Sequence, residues 1–368
     1  MDKDFNVLVL GGYGNFGRLI VRRLNTIAGL RVWIAGRDLA KAQTLAAQTG
    51  SHALRLDINQ ADLAEQLRAL DIHLVISTAG PFQGQDYRVA LAAINAGAHY
   101  VDLADAREFV CGIGELDVQA RQAGVLICAG GSSVPALSAA VIDQLLARFS
   151  RLDSIWHGIS SSEKTPGVST LAGVLNYCGK PVRQWRDGAW CEVIGWQNLS
   201  AYDFPKPLGR RWVSNCDIPD LQLFPVRYPG VREVRFSAGV GLRVTQFGTW
   251  LLSGLVRAGL LPSAAPLAPL LRRAAVMLEP LGDGISGMFV RLQGLDQQGQ
   301  AQTLCWELQA LHNDGPNIPC MAAVALARKL AAGQVSERGA MPCVGLLTVA
   351  EYLAELEGMA ISVSEWQL

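Results

Sequence analysis

Three glycines at the spacing Gly12-x-Gly14-x-x-Gly17 follow directly on the apolar run 7–10, and apolar residues resume at Leu19, Ile20, Val21 and Leu24. This order of residue types predicts a strand, a tight turn and a helix. Each glycine then serves a different purpose. Gly12 makes the turn, Gly14 lets a pyrophosphate reach the backbone, and Gly17 allows close helix–strand packing. The helix is expected to begin near Asn15, with Tyr13, Asn15 and Phe16 around its entry, and its unpaired N–H groups favour an anion. The chemistry that fits is dinucleotide binding, with a merely structural turn as the alternative.

The second strand-like run, 31–35, ends in Gly36-Arg37, where an NAD-selective site would set a carboxylate against the ribose 2′-hydroxyl. A guanidinium there can pair with a 2′-phosphate on two edges and stack on an adenine. Lys41, a turn later on the next helix, can add a second positive charge. These residues favour NADP(H), unless Arg37 is only a solvated loop cation.

In such a sheet the ligand lies beyond the carboxyl ends of the strands, so the loops there are the places to look. Asp57 and Ile58 follow the third strand, where a carboxylate can accept from an adenine amino group and an aliphatic side chain can cover the ring. Capping the next helix is the other use for Asp57. Ser77-Thr78-Ala79-Gly80-Pro81-Phe82 follows the fourth strand, with small residues that admit a cofactor close to the backbone and a proline that fixes the turn. Asp102 and Asp105 follow the fifth strand. Residues 129–135 follow the sixth and open a helix running to about Arg148. The last three loops are expected around the nicotinamide end.

The elements that position these loops read as a doubly wound α/β sheet. Strand-like runs at 7–10, 31–35, 52–56, 72–77, 99–103 and 125–128 alternate with helical patterns at about 38–49, 60–70, 84–97 and 107–123. A chain of 368 residues exceeds what one hydrophobic core usually organises, so two domains are expected. Further strands are expected at 153–160, 233–240, 288–295 and 303–311, in an antiparallel sheet with one buried face and one face free to line a cleft or meet a second subunit. Residues 245–271 include Trp250, Leu251, Leu252, Leu255 and Val256, but Gly259, Pro262, Pro266 and Pro269 break the stretch too often for a transmembrane segment. It reads as a buried or dimer-contacting helix followed by a proline-rich turn, with a membrane-surface helix as the alternative. The polar loop 161–167 could face substrate.

Formal net charge is +0 with 17% charged residues, so the chain has no overall electrostatic footprint for nucleic acid or an anionic membrane. Hydrophobic residues make up 50% and mean hydropathy is +0.21, which suggests either a homodimer interface or a well-filled core. Met1-Asp2-Lys3-Asp4 leads straight into the first strand, leaving no room for a signal peptide, and a cytoplasmic location is expected. Eight cysteines without a C-x-x-C pair predict reduced thiols and no metal site.

Five motifs taken in order resemble the saccharopine dehydrogenase-like group of NADP-binding oxidoreductases, which includes saccharopine reductases and carboxynorspermidine dehydrogenases. They are Gly-Gly-Tyr-Gly-Asn-Phe-Gly at 11–17, Ala-Gly-Arg-Asp at 35–38, Ala-Gly-Pro-Phe at 79–82, Ala-Gly-Ala-His-Tyr-Val-Asp-Leu at 96–103 and Ser-Ser-Val-Pro at 132–135. The resemblance covers the first 150 residues firmly. It is weaker beyond, where 315–319 and 339–345 look like a return segment. It implies a Rossmann domain over 1–148, an inserted α+β substrate and dimerisation domain over 149–315, and a helical return segment over 316–368 packing on the Rossmann domain. It further implies that Arg37 holds the 2′-phosphate and that Gly80-Pro81-Phe82 borders the nicotinamide ribose.

The activity implied is NADPH-dependent reduction of a small-molecule C=N bond, formed between an amino acid or amine and an aldehyde or keto acid. Reduction of an activated C=C or carbonyl bond, or NADP(H) binding without turnover, stays open. NADPH supplies the hydride, so the protein need contribute little beyond positioning and one proton. His157, Lys164, Tyr177, Asp217 and His312 are possible donors, but no nucleophile–base set is visible and no catalytic residue is assigned. An amino dicarboxylate substrate would call for converging arginines, with Arg227, Arg235 and Arg243 as candidates.

Overall fold

Val7, Leu8 and Val9 are fully buried in consecutive positions, which places their strand between two layers of helices. The structure is a computed structural model and describes residues 4–165 and 167–368. The chain forms two compact units: residues 1–140 with 316–357, and residues 141–315 with 358–368.

The first unit alternates strictly. In chain order it contains β1 (Phe5–Leu10), α1 (Gly17–Leu24), β2 (Leu30–Gly36), α2 (Leu39–Thr49), β3 (His52–Arg55), α3 (Leu63–Ala69), β4 (Leu74–Ser77), α4 (Arg88–Ala96), β5 (His99–Asp102), α5 (Arg107–Gly112), α6 (Asp117–Gln122) and β6 (Leu126–Ala129). The strands pair in parallel in the order β6-β5-β4-β1-β2-β3, a doubly wound Rossmann sheet whose winding reverses between β1 and β4. The helix expected over 107–123 is instead α5, a 3-10 turn (Ile113–Leu116) and α6, because Gly112 and Gly114 interrupt the helical run. Two histidines extend the backbone ladder at the amino ends of strands: His73 Nδ1 accepts the Asn6 N–H at 3.0 Å and His99 Nδ1 accepts the Leu126 N–H at 2.9 Å. Burial pushes the His99 pKa down to about 4.

From α7 (Ser138–Leu146) the chain enters the second unit. This contains β7 (Phe149–Ser160), α8 (Val168–Asn176), β8 (Pro181–Arg186), β9 (Ala189–Ile194), β10 (Ser200–Asp203), β11 (Arg210–Asn215), α9 (Asp220–Arg227), β12 (Glu233–Gly239), α10 (Arg243–Arg257), α11 (Ala268–Leu278), β13 (Ser286–Asp296) and β14 (Ala301–Ala310). The sheet runs β10-β11-β12-β7-β13-β14, with the β8–β9 hairpin joined to β12. It is mixed rather than antiparallel throughout, because β7 and β12 pair in parallel. Register sets Arg235, Trp156, Arg291 and Cys305 in one row across four strands. On this face Arg235 lies over the Trp156 ring at 4.8 Å, and Trp156 meets Tyr202 and Phe289 edge-on. The opposite face carries Ile155, Val234, Leu292 and Leu304, all fully buried. The proline-rich segment after α10 also differs from the expectation. Instead of ending in a turn it becomes a helix, because Pro266 and Pro269 occupy first-turn positions where no N–H is needed.

The chain then returns through α12 (Met321–Ala331), β15 (Gly339–Pro342) and α13 (Val349–Ala354) to β16 (Ile361–Gln367). β15 pairs in parallel with β6 and makes the first sheet seven-stranded, one strand more than the sequence suggested. α12 is buried from Met321 to Ala327. Glu355 holds the return in place by accepting from both Arg328 (2.6 Å) and Arg23 (3.3 Å). The last eleven residues depart from the expected return segment: 358–368 belong to the second unit, where β16 pairs antiparallel with β14. The fully buried Glu307 of β14 anchors it, accepting from Trp366 Nε1 (3.1 Å) and Ser364 Oγ (3.4 Å), and from the Tyr202 hydroxyl at 2.6 Å.

Candidate functional site

The glycine turn sits at the winding reversal. Gly11 turns the chain out of β1, and a helix follows at Gly17 rather than near Asn15, with Phe16 at its N-cap and no side-chain cap. The amides of Asn15 and Phe16 meet no acceptor among the described residues. Gly14 and Asn15 are exposed, so this backbone is open to an approaching anion. Gly17 is confined: a Cβ there would lie 2.3 Å from the Gly11 carbonyl oxygen and 2.6 Å from Gly12 Cα, so only glycine lets α1 start against the turn. Across the reversal, Thr78 donates through both its amide (2.9 Å) and its hydroxyl (2.8 Å) to the Leu10 carbonyl, tying the ends of β4 and β1 together.

Tyr13 leans from the turn onto the end of β2. Its ring occupies the space a Cβ of Gly36 would need, at 2.6 Å, and its hydroxyl accepts the Asp38 N–H at 3.0 Å. Beside it opens a pocket of about 560 Å³ lined by Tyr13, Arg37, Asp38, Leu39, Lys41 and Arg55. Asp38 caps α2 by accepting the Lys41 N–H at 3.2 Å and pairs with Lys41 Nζ at 3.1 Å. The hydrogen bond from Lys41 holds the Asp38 carboxyl below its ordinary range. Lys41 therefore brings a charge already shared with a carboxylate, whereas Arg37 and Arg55 are exposed and have no ion pair among the described residues. Arg55 is the residue that sequence reasoning missed. It ends β3, directly across from Gly36 at the end of β2, so its place at the carboxyl edge of the third strand was the available signal.

The remaining sequence candidates divide. Asp57 neither caps α3, whose N-cap is Asp62, nor stands free: it accepts the Asn59 N–H (3.0 Å) and Asn59 Nδ2 (2.9 Å), bracing its own turn with Ile58 inside it. Ser77 is buried in β4. Ala79, Gly80 and Pro81 form the loop beyond it, with Gly80 and Pro81 exposed, and Gln85 Nε2 donates to the carbonyls of Ala79 (2.9 Å) and Pro81 (2.6 Å). Phe82 turns inward against Phe109, ring centroids 5.3 Å apart, and is a core residue of this loop. Asp102 is also structural. Fully buried, it accepts the Gly130 (2.8 Å) and Ala104 (2.9 Å) amides and so couples the ends of β5 and β6. Burial raises its pKa to about 6 against the pull of those amides.

In the second unit the suggested proton donors are dispersed. His157 is fully buried between Phe224 and Phe236, and burial drives its pKa down to about 3. The Tyr177 hydroxyl lies 2.8 Å from Cys216 Sγ, and Lys164 and His312 are exposed on separate loops. Arg227 is held by Asp143, Arg235 by Trp156 and Glu233, and Arg243 begins α10, so these arginines stand on different elements. The polar loop 161–167 is pinned within the unit. Glu163 accepts the Gly284 N–H at 3.0 Å, and the Thr165 N–H donates to Glu279 at 2.9 Å, while Pro166 lies outside the described residues.

Residues 7–128 match the family described as the saccharopine dehydrogenase NADP binding domain. Among solved structures, the chain is similar to apo saccharopine dehydrogenase (L-Glu forming) from Saccharomyces cerevisiae, with a TM-score of 0.72 at 15% identity, covering 98% of this chain and 100% of that one. It is similar to a homospermidine synthase from Legionella pneumophila solved in complex with NAD, with a TM-score of 0.63 at 9% identity over 100% and 92% of the two chains. An amine dehydrogenase from Mycobacterium smegmatis follows at 0.51, 12% identity, over 94% and 96%. No curated protein matches the chain in sequence.

Proposed function

We propose that this chain, whose first unit carries a saccharopine dehydrogenase NADP binding domain, is an NADPH-dependent oxidoreductase that reduces a C=N bond between an amino acid or amine and an aldehyde or keto acid. The observation that carries the cofactor half is the pocket between Tyr13, Arg37 and Arg55, where two guanidinium groups lack ion-pair partners among the described residues, beside a glycine turn. A pyrophosphate fits the open amides of Asn15 and Phe16, and a 2′-phosphate fits Arg37 and Arg55, with Lys41 a weaker contributor. Gly12, Gly14 and Gly17 shape the turn. Gly80 and Pro81, with the half-buried Ala79 beside them, offer backbone for the nicotinamide ribose, and Asp57 and Ile58 border the adenine. Bound NADPH would supply the hydride. The protein's own share is to hold the cofactor and keep its orientation through the Thr78, Tyr13 and Gln85 contacts.

The substrate half rests on the family resemblance and on the fold shared with the saccharopine and amine dehydrogenases. A cytoplasmic location and a homodimer belong to the same reading; the eight free cysteines suit a reducing compartment.

Titration with NADPH and NADH tests the cofactor half. NADPH binds tighter, and Arg37→Ala and Arg55→Ala each weaken it roughly tenfold to a hundredfold while leaving NADH nearly unchanged. Equal affinity for the two cofactors in the wild-type chain overturns it. NADPH oxidation in the presence of one amine–carbonyl pair, from a panel of amino acids with semialdehydes and keto acids, identifies the reaction. Binding without oxidation across that panel overturns the imine assignment alone.

A further inference from the structure

The stretch 243–278 contains four arginines, Arg243, Arg257, Arg272 and Arg273, and neither aspartate, glutamate nor lysine. It forms α10 and α11, whose inner sides, through Leu252, Val256, Ala268 and Leu271, share a small core with Leu175 and Trp196. Their outer sides are apolar and uncovered. Val244, Phe247 and Leu251 follow one another at helical spacing on α10, with 60%, 40% and 58% of their surfaces in solvent, and Leu270 and Met277 do so on α11 with 64% and 80%. Arg243, Arg257 and Arg273 are exposed on the same two helices and have no ion pair among the described residues. The next acid, Glu279, is turned to the Thr165 amide.

We infer that the outer face of α10 and α11 docks this protein on the surface of an anionic lipid bilayer. Two observations select that occupant. Exposed leucine, valine, phenylalanine and methionine on a helix that also presents arginines is the pattern of an element lying in the headgroup region, its apolar side in the acyl boundary and its cations among the phosphates. A second copy of this chain is the poorer fit: a two-fold contact of this face would gather eight arginines, four from each copy, with no carboxylate in the stretch to pair them. Whole-chain neutrality conceals this local charge, because the compensating acids lie elsewhere in the sequence. Neither helix crosses the membrane; among the described residues no helix is long and apolar enough to do so. Lipid docking depends on neither the cofactor nor the reaction.

The test is flotation of the full chain with vesicles of phosphatidylcholine alone and of phosphatidylcholine with one third phosphatidylglycerol, at low and raised salt. The wild-type chain rises with the anionic vesicles only, and raised salt weakens it. Leu251→Glu combined with Met277→Glu lowers the bound fraction at least tenfold. Arg257→Ala and Arg273→Ala each cost about fivefold. Far-UV circular dichroism and the melting midpoint verify that the variants are folded. Absence of flotation, or equal flotation on both vesicle types, overturns the inference. Sedimentation velocity covers the other occupants. A dimer that ignores vesicles and dissociates with the paired glutamate substitutions would assign the face to a second copy. A monomer that ignores vesicles would leave it to an acidic protein, and either result overturns lipid docking.

Discussion

The two units use their residues differently at the places where they are most constrained. In the first, constraint falls on the backbone: Gly17 against Gly11 and Gly12, Gly36 against Tyr13, Thr78 on the Leu10 carbonyl. In the second it falls on side chains drawn from distant strands, such as Glu307 of β14 holding Tyr202, Ser364 and Trp366, or Arg235 resting on Trp156. At the turn itself the backbone constraint is written locally, in glycines at fixed spacing. Side-chain constraint can be assembled from any residues that register brings together, so it leaves no local mark.

The contrast is most exposed to disproof at Gly17. Gly17→Ala should abolish NADPH binding or cost more than about 3 kcal/mol of stability, because the new methyl has only backbone to displace; calorimetry and NADPH fluorescence on one sample distinguish the two losses. Near-native NADPH binding with an unchanged melting midpoint would show that the turn yields to a methyl group, and the backbone constraint would fall with it. Asp102→Asn acts next. Its folded pKa of about 6 lies above the ordinary 3.8, so the native state holds the proton more tightly. That contribution to stability is present below about pH 4 and is lost as pH rises to about 6. Asparagine stays neutral and still accepts from Gly130 and Ala104. The stability of the variant relative to wild type should therefore climb between pH 4 and 6 by on the order of 3 kcal/mol and then level off. A difference that stays flat across that range would contradict the burial argument.

Glu307→Gln carries the test to the second unit. One amide oxygen cannot replace two carboxylate oxygens that accept three bonds, and the amide NH₂ would face donors, so about 1–3 kcal/mol should be lost. Faster hydrogen exchange in β16 and an unchanged NADPH affinity would keep the two kinds of constraint separate; a fall in affinity would merge them. The smallest effect is expected at Lys41→Ala. Its ammonium is exposed and shared with Asp38, so NADPH affinity should fall no more than about threefold, well short of Arg37→Ala.

Legibility in the sequence follows the same division. β1, β2, β4, β5 and β6 could be read because buried parallel strands are continuous apolar runs, and the turn because its glycines stand close together in the chain, whereas the edge strand β3, exposed at His52 and Arg55, is marked only by its place in the alternation. The hairpin of β8 and β9 was not foreseen, since Arg183, Gln184, Arg186 and Glu192 blur its alternation while Trp185 and Trp190 meet each other across it at 5.1 Å. Arg55 escaped because its importance lies in standing across from Gly36, a fact of register. The sequence sets Phe82 in the loop after β4, but nothing there announces Phe109 as the ring it packs on. Asp57 was expected to serve either adenine or a helix cap, and the two bonds to Asn59 are a third use that a turn residue can always find.

The route of the chain has a consequence for its synthesis. β15 closes one edge of the first sheet and β16 one edge of the second, and both lie within residues 339–367. A ribosome that has already translated β1 to β14 therefore displays two sheets with unpaired borders, each able to recruit a foreign strand. The first border is sealed only after some thirty further residues have emerged and the second only after nearly sixty, at about 5–20 residues per second. For this protein the interval of greatest danger from aggregation comes late, when most of both cores is already built.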